Sequence, residues 1–305
     1  MDQQNIVLTP ETANNLQAAA SALKEEEKTS RPLPASDEPL VTIEPGRKSF
    51  GFDLAELWRY RELLYFLTWR DIKVRYKQTV LGATWAVMQP LLLMAIFTFI
   101  FSRLGGIQSN NVPYPIFAYA ALLPWTFFAN AVSNSGNSLV GSTNLITKVY
   151  FPRVIIPAAA VCAGLVDFGL AFIMLIAMMF YYHIGVQIGI LLLPVFIFLM
   201  IILALGVGML MSALNVKYRD VRHALPFLIQ IWMFASPVMY PVPVRNSWLF
   251  ALNPMTGIIG GFRSSLFGKP FDWFTLGTST VIIVLVLISA VFTFNRMEKS
   301  FADVI

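Results

Sequence analysis

The stretch NLITKVYFPRVIIP, residues 144–157, sets two cations and two prolines between two long apolar runs. Its chemistry is that of docking. Leu145, Ile146, Val149, Tyr150 and Phe151 offer apolar anchors to a partner's groove, and Lys148 and Arg153 fix the register against acids; Pro152 and Pro157 stop the element and turn the chain into the next apolar run. The second marked group is Asp167, the single acid inside an apolar segment. Counted from Val154 it lies about 20 Å into the membrane at 1.5 Å per residue, where an unpaired carboxylate costs roughly 2.5–3.5 kcal/mol. It therefore faces protein or water, with Asn130 and Asn134 as candidate partners. A proton relay would need titratable groups in other segments, and His183 and His223 sit at segment ends, so packing ranks above relay. The third group is aromatic: Trp85, Trp125, Phe128, Trp232, Phe234 and Tyr240. Such residues form belts at membrane interfaces, and where they line a lumen their faces stack on sugar rings.

Bond-making chemistry has little to work with. The chain has no GxxxxGK[ST] loop, no HExxH, no GxSxG and no Cys/His metal spacing. Cys162 is the only cysteine, so no intrachain disulfide forms. Near the apolar segments the acids are Asp53, Glu56, Glu62, Asp71, Asp220 and Asp272, too scattered for a membrane transferase.

These groups must be held in lipid. The 305 residues are 57% hydrophobic and only 13% charged, against about 25% charged in a soluble domain. Six segments reach or approach the roughly 20 residues that a span needs: Leu81–Ser102, Pro115 to about Ser138, Val154–Tyr182, Ile188–Leu214, Ala224 to about Val238, and Phe274–Phe294. The fifth is short and is broken by SPVMYPVPV. The following apolar stretch is cut at Asn253–Pro254, which predicts two re-entrant helices in place of one crossing. The inner flanks carry Arg59, Arg61, Arg70, Lys73, Arg75, Lys77, Lys148, Arg153, Lys217, Arg219, Arg222, Arg296 and Lys299. Outside are only Arg103, Arg245, Arg263 and Lys269, so both termini are predicted to be cytoplasmic. This asymmetry accounts for the net charge of +5 better than a nucleic-acid partner does.

The chain divides into a polar tail, 1–48, predicted to be disordered; an amphipathic region, 49–80; and a transmembrane domain, 81–305. In the second, Leu54, Trp58, Tyr65, Trp69, Ile72 and Tyr76 share one helical stripe, with Arg59, Glu62, Arg70, Lys73 and Lys77 beside it. That pattern predicts a helix lying along the inner membrane surface. Read as a gate to a pathway, its working residues are Trp58, Arg61, Tyr65, Trp69, Arg70, Arg75 and Tyr76.

Several landmarks occur in order: RDIKVRYKQTVLGATWAVMQPLL, LLPWTFF, NLITKVYFPRVIIP, LVDF, VKYRDVRH, SPVMYP, LNPM and GFR. In this the chain, from about residue 52 to the end, resembles the permease subunits of ABC-2 type ATP-binding cassette exporters, in particular those that move O-antigen, capsular polysaccharide or teichoic acid. The resemblance implies an all-α membrane fold with six spans, a cytoplasmic coupling helix and two re-entrant outer helices. It implies that Asn144 to Arg153 is the coupling helix, and that Tyr218, Arg219 and Asp220 lie near the same partner. It further implies a homodimer, two ATPase subunits that bind the ATP and Mg this chain does not, and an exit framed by Ser236–Pro241, Asn253, Pro254 and Arg263. A small-molecule exporter and a proton-coupled carrier centred on Asp167 are the competing readings.

Overall fold

A computed structural model describes residues 21, 58–77, 84–104, 112–241 and 247–304. The chain divides into two units, Met1–Lys48 and Ser49–Ile305. In the first only Ser21 is described, so the predicted tail lies outside the described residues, as do Leu54 and the chain between the amphipathic helix and the first span.

The described elements of the second unit are all helical. They are α1 (Arg61–Lys77), α2 (Thr84–Phe97, running on as a π-helical turn over Thr98–Leu104), α3 (Tyr114–Gly141), α4 (Thr143–Lys148), α5 (Ile155–Tyr181), α6 (Leu193–Lys217, preceded by a 3-10 turn), α7 (Val221–Ala235), α8 (Ser247–Ala251), α9 (Pro254–Phe267) and α10 (Trp273–Val304). Five stretches are long and apolar enough to cross a membrane: Thr84–Ser102, Tyr114–Gly141, Ile155–Tyr181, Ile188–Lys217 and Trp273–Glu298. The sixth expected span is α7. Its 15 residues cover about 22 Å, short of a hydrocarbon core of about 30 Å.

Helix α3 is the hub, because α2, α5, α6, α7 and α9 all pack on it. Its alanines let neighbours approach closely, so its first half is buried nearly all round, from Ile116 through Ala118–Leu122 to Phe128, while beyond it Asn134 opens to the outside and Leu139 turns back into the core. Close approach is strictest at two glycines. A Cβ on Gly208 of α6 would sit 2.4 Å from Ser135 Oγ of α3, and one on Gly261 of α9 would sit 2.3 Å from the Phe196 ring. The α6–α3 seam is tied further where Asn215 Nδ2 donates to the Gly136 carbonyl (2.9 Å) and to Asn137 Oδ1 (3.2 Å).

Helix α1 packs along the first half of α5. Leu67 shares a core cluster with Val154, Ile155, Ile156 and Ala159, and eight to nine residues on, Arg75 and Tyr76 reach Asp167. The stripe facing protein is therefore Tyr60, Leu63, Leu64, Leu67, Ile72 and Tyr76. Trp58, Tyr65 and Trp69 of the predicted stripe are exposed, with Arg61 stacked over Trp58 and Lys73 over Trp69. One set of the expected aromatics faces outward, as an interfacial helix requires, and the other grips the bundle.

Replacing Gly208 by Val should overpack the α3–α6 seam at about 1–3 kcal/mol. In detergent, the variant should lose its monodisperse chromatographic peak at a temperature the parent survives. An unchanged melting profile would mean that this seam is looser than described.

Candidate functional site

Asp167 projects from the middle of α5 and is answered by α1. Arg75 Nη1 pairs with its Oδ2, and the Tyr76 hydroxyl donates to its Oδ1. Asn130 and Asn134, the partners expected from sequence, do not bond to it; they line the same cavity from α3. Burial, and then the bond to Asp167, push the Tyr76 phenol above its usual range, so it stays a donor throughout physiological pH. The side chains of Arg75 and Asp167 remain 28% and 20% exposed, so the pair is shielded without being sealed.

The cavity beside them measures about 550 Å³, within the range of small-ligand sites. Its walls come from four helices: Arg75 and Tyr76 of α1, Trp85 and Gln89 of α2, Thr126, Phe127, Asn130 and Asn134 of α3, and Gly164, Asp167 and Phe168 of α5. Sequence reasoning named Trp85 but missed Gln89 and Thr126. The Asn130–Asn134 spacing was the available signal, since two amides one helical turn apart in an apolar segment must share a face.

The docking stretch folds as α4, an extended link and the start of α5. Helix α4 ends at Lys148, four residues before Pro152, and Pro157 lies inside the first turn of α5, where its missing N–H would have had no partner. The prolines therefore border the link and do not terminate the helix. The five anchors divide. Ile146 and Phe151 are buried in this chain's own core, so these two cannot enter another protein's groove, and Leu145, half-buried, packs against the same core. Val149 is half exposed and Tyr150 is 90% exposed, with Asn144 and Lys148 also open. Arg153 is engaged within the chain as well: its backbone N–H donates to Glu298 Oε1 (3.3 Å) and its guanidinium to the Glu298 carbonyl. The expectation that Arg153 sets register against a partner's acids is corrected accordingly.

Tyr218, Arg219 and Asp220 form the exposed turn between α6 and α7, with Lys217 Nζ 5.2 Å from the centre of the Tyr218 ring. The Asn215–Gly136 bond puts this turn at the same end of the bundle as α4. Arg70 pairs with the adjacent Asp71 at 2.9 Å and does not reach the cavity.

At the opposite end, the expected exit residues prove to be structural. Asn253 caps α9, its Oδ1 accepting from Met255 N (3.1 Å) and from Trp232 Nε1 (2.9 Å), while its Nδ2 donates to the Ala235 carbonyl and to Ser236 Oγ. Pro254 follows at the first helical position, where its fixed φ suits the helix. Arg263 is buried. Its guanidinium donates to the carbonyls of Phe117 (3.2 Å), Pro237 (2.8 Å) and Val238 (2.7 Å) and lies 3.6 Å from the centre of the Phe117 ring. It clamps α9 to α3 and to the 236–239 link. Trp125 and Phe128 are buried too, in a ring contact with Trp232 (Phe128–Trp232 centroids 5.0 Å). Of the expected lumen aromatics, Trp85 and Phe234 are exposed, and Trp232 and Tyr240 are partly so. Among the described residues, no cluster of His, Cys, Asp and Glu could hold a metal ion.

Comparison with known proteins brings one family match and three similar relatives. The model of the ABC-2 type transporter family matches residues 62–267. The chain is 28% identical over 255 residues to the "O-antigen export system permease protein RfbA" of Myxococcus xanthus, covering 81% of this chain and 97% of that one. It is 27% identical over 248 residues (80% and 95%) to the protein of the same name from Klebsiella pneumoniae. To the "Polysialic acid transport protein KpsM" of Escherichia coli it is 25% identical over 200 residues (62% and 75%).

Replacing Arg75 by Gln or Asp167 by Asn should each destabilise the purified chain. The double variant should be less unstable than the sum, by about 1–2 kcal/mol, below the 3–5 kcal/mol of a fully buried pair because each side chain keeps partial access to solvent. A double-mutant cycle on thermal melting measures this. Strict additivity would dissolve the pair.

Proposed function

We propose a transport function for a chain that belongs to the ABC-2 type transporter family, the matched segment taking in almost all of α1 to α9. The chain is the membrane-spanning permease subunit of an ATP-driven exporter that carries a lipid-linked polysaccharide of O-antigen type across the bacterial inner membrane. Relatives matched over four fifths of its length, and bearing O-antigen export names, support the substrate class. Two copies pair around the pathway, each binding an ATPase subunit that holds ATP and Mg. The bias of Lys and Arg supports an arrangement with both termini, α4 and the Tyr218–Asp220 turn in the cytoplasm. In that orientation α7 completes six spans, and α8 and α9 enter and leave from the outer side.

One observation carries the coupling step: Tyr150 stands 90% exposed at the tip of an element whose flanks, Ile146 and Phe151, are pinned in the core. A rigid, desolvation-ready aromatic beside Lys148 is the form of a docking hot spot. ATPase closure pushes on Val149 and Tyr150. The displacement passes into α5, which begins five residues later, and reaches Asp167, where Arg75 and Tyr76 hand it to α1. Helix α1, with Trp58, Tyr65 and Trp69 facing outward, then moves as the gate that admits the lipid-linked end at the inner leaflet. The carrier reading centred on Asp167 loses ground here, because both of its oxygens are engaged in a structural contact between α1 and α5, one with a guanidinium and one with a phenol.

Tyr150→Ala should cut export in cells, and ATP hydrolysis by the reconstituted complex, by tenfold or more while the melting temperature of the isolated chain stays put. Phe151→Ala should instead destabilise the chain, by about 3–5 kcal/mol if its cavity does not collapse. Parent-level export with Tyr150→Ala would end the docking assignment.

A further inference from the structure

The cavity between α1, α2, α3 and α5 contains more polar chemistry than the gate alone uses. Gln89, Asn130 and Asn134 line it, and none of the three makes a hydrogen bond to another described residue. Gln89 and Asn134 are exposed and Asn130 is half-buried, so their donors and acceptors are open to whatever enters the space they share, which suits a polar occupant. The character of that occupant is set by charge. Among the described residues, the charged ones in the lining are Arg75 and Asp167, and they are paired with each other. The walls therefore carry no net charge, which favours neither a phosphate nor an amine. A carboxamide both donates and accepts, as a sugar hydroxyl does. Trp85, 55% exposed on the facing helix, adds the flat apolar face against which a pyranose ring lies, with a polar edge to spare.

We propose that this cavity is a binding subsite for a neutral sugar unit, with Asn130, Asn134 and Gln89 taking its hydroxyls and Trp85 its apolar face. The inference rests on the reading of the chain as a polysaccharide permease and adds to it a sugar site whose described walls all come from one chain. The Arg75–Asp167–Tyr76 cluster forms its floor, so an occupied cavity and a closed latch share a wall. Glycan in the cavity and movement of α1 are then mechanically linked.

The test uses the full chain with its ATPase partner in cells that make the polymer. Photoreactive benzoylphenylalanine is placed at Asn134 or at Trp85, and at Ile288, an exposed position on α10, as a control. Only variants that still display polymer on the cell surface are irradiated. Positions 134 and 85 should give a ladder of slow-migrating adducts that collapses after periodate oxidation, and position 288 should give none. Adducts that resist periodate and carry only phospholipid, or no adduct at either cavity position, overturn the subsite. Should Asn134 or Trp85 not tolerate the probe, Asn130→Leu combined with Gln89→Leu should lower surface polymer by about tenfold through the loss of two hydrogen-bonding groups, with Asn130→Gln partly restoring it; unchanged export overturns the subsite equally. Failure of the parent chain to support any polymer display would instead remove the permease reading beneath it.

Discussion

A carboxylate halfway along an apolar helix must be answered from within the chain, because lipid offers it nothing. Asp167 is answered by Arg75 and Tyr76, from a helix that sequence places before the first span. That one requirement fixes α1 against α5 and sets the floor of the cavity. The same rule recurs wherever a polar group meets the interior. Asn215 bridges α6 to α3, and Arg153 ties the start of α5 to the end of α10. Arg263 satisfies its guanidinium on three carbonyls where no acid is near. Each of these links joins segments far apart in sequence, so the apolar helices, which have little hydrophobic preference among themselves in lipid, acquire a specific arrangement.

The two ends of the bundle use this rule differently. At the end that carries Asn253 and Arg263, every strong polar group named above is bound within the chain, and the Tyr114 hydroxyl adds a 2.7 Å bond to the Met239 carbonyl. This end behaves as a braced frame. At the end that carries α4 and the Tyr218–Asp220 turn, Val149, Tyr150, Lys148 and Tyr218 stay open, and the cavity toward that end keeps three amides unmatched. Exposed side chains and open amides leave this end, unlike the braced one, available to groups outside the chain.

Apolar run lengths sufficed to locate five spans within a few residues, because each must match the thickness of the hydrocarbon. Proline and charge likewise marked the docking stretch and the Asn253–Pro254 cut. Facing was harder to read. Phe151 and Tyr150 are adjacent and both aromatic, yet only one is buried, and what buries Phe151 is a cluster that draws on α6 and α10. Trp125 and Phe128 were expected at a lumen and lie inside the protein, since Trp232 comes from α7 to cover them. Arg263 read as an exit charge on the outer side. Its burial depends on carbonyls freed where α7 ends in SPVMYP, which no local pattern exposes. The partner of Asp167 was legible in part, because a buried acid needs a cation and Arg75 lies nearby in the gate helix, but amides in adjacent spans were the nearer guess.

Helix continuity decides how a push on α4 can travel. Helices α2, α3 and α7 carry Pro90, Pro124 and Pro226 within them, and each proline removes a backbone hydrogen bond and leaves a compliant point. Helix α5 has none beyond its first turn, so the 12 steps from Ile155 to Asp167, about 18 Å at 1.5 Å each, act as a stiff rod. If α5 shifts, either the Arg75–Asp167 pair opens or α1 moves along. Opening leaves a partly buried charge alone, at a cost approaching the 3–5 kcal/mol seen when buried pairs lose one member. Moving along asks α1 only to slide its outward aromatics through the headgroup layer, where Trp and Tyr are at home over several ångströms of depth. The second response is lower in energy, so the Arg75–Asp167 pair makes α1 travel with α5, which is the mechanical link that the proposed coupling of α4 to α1 requires.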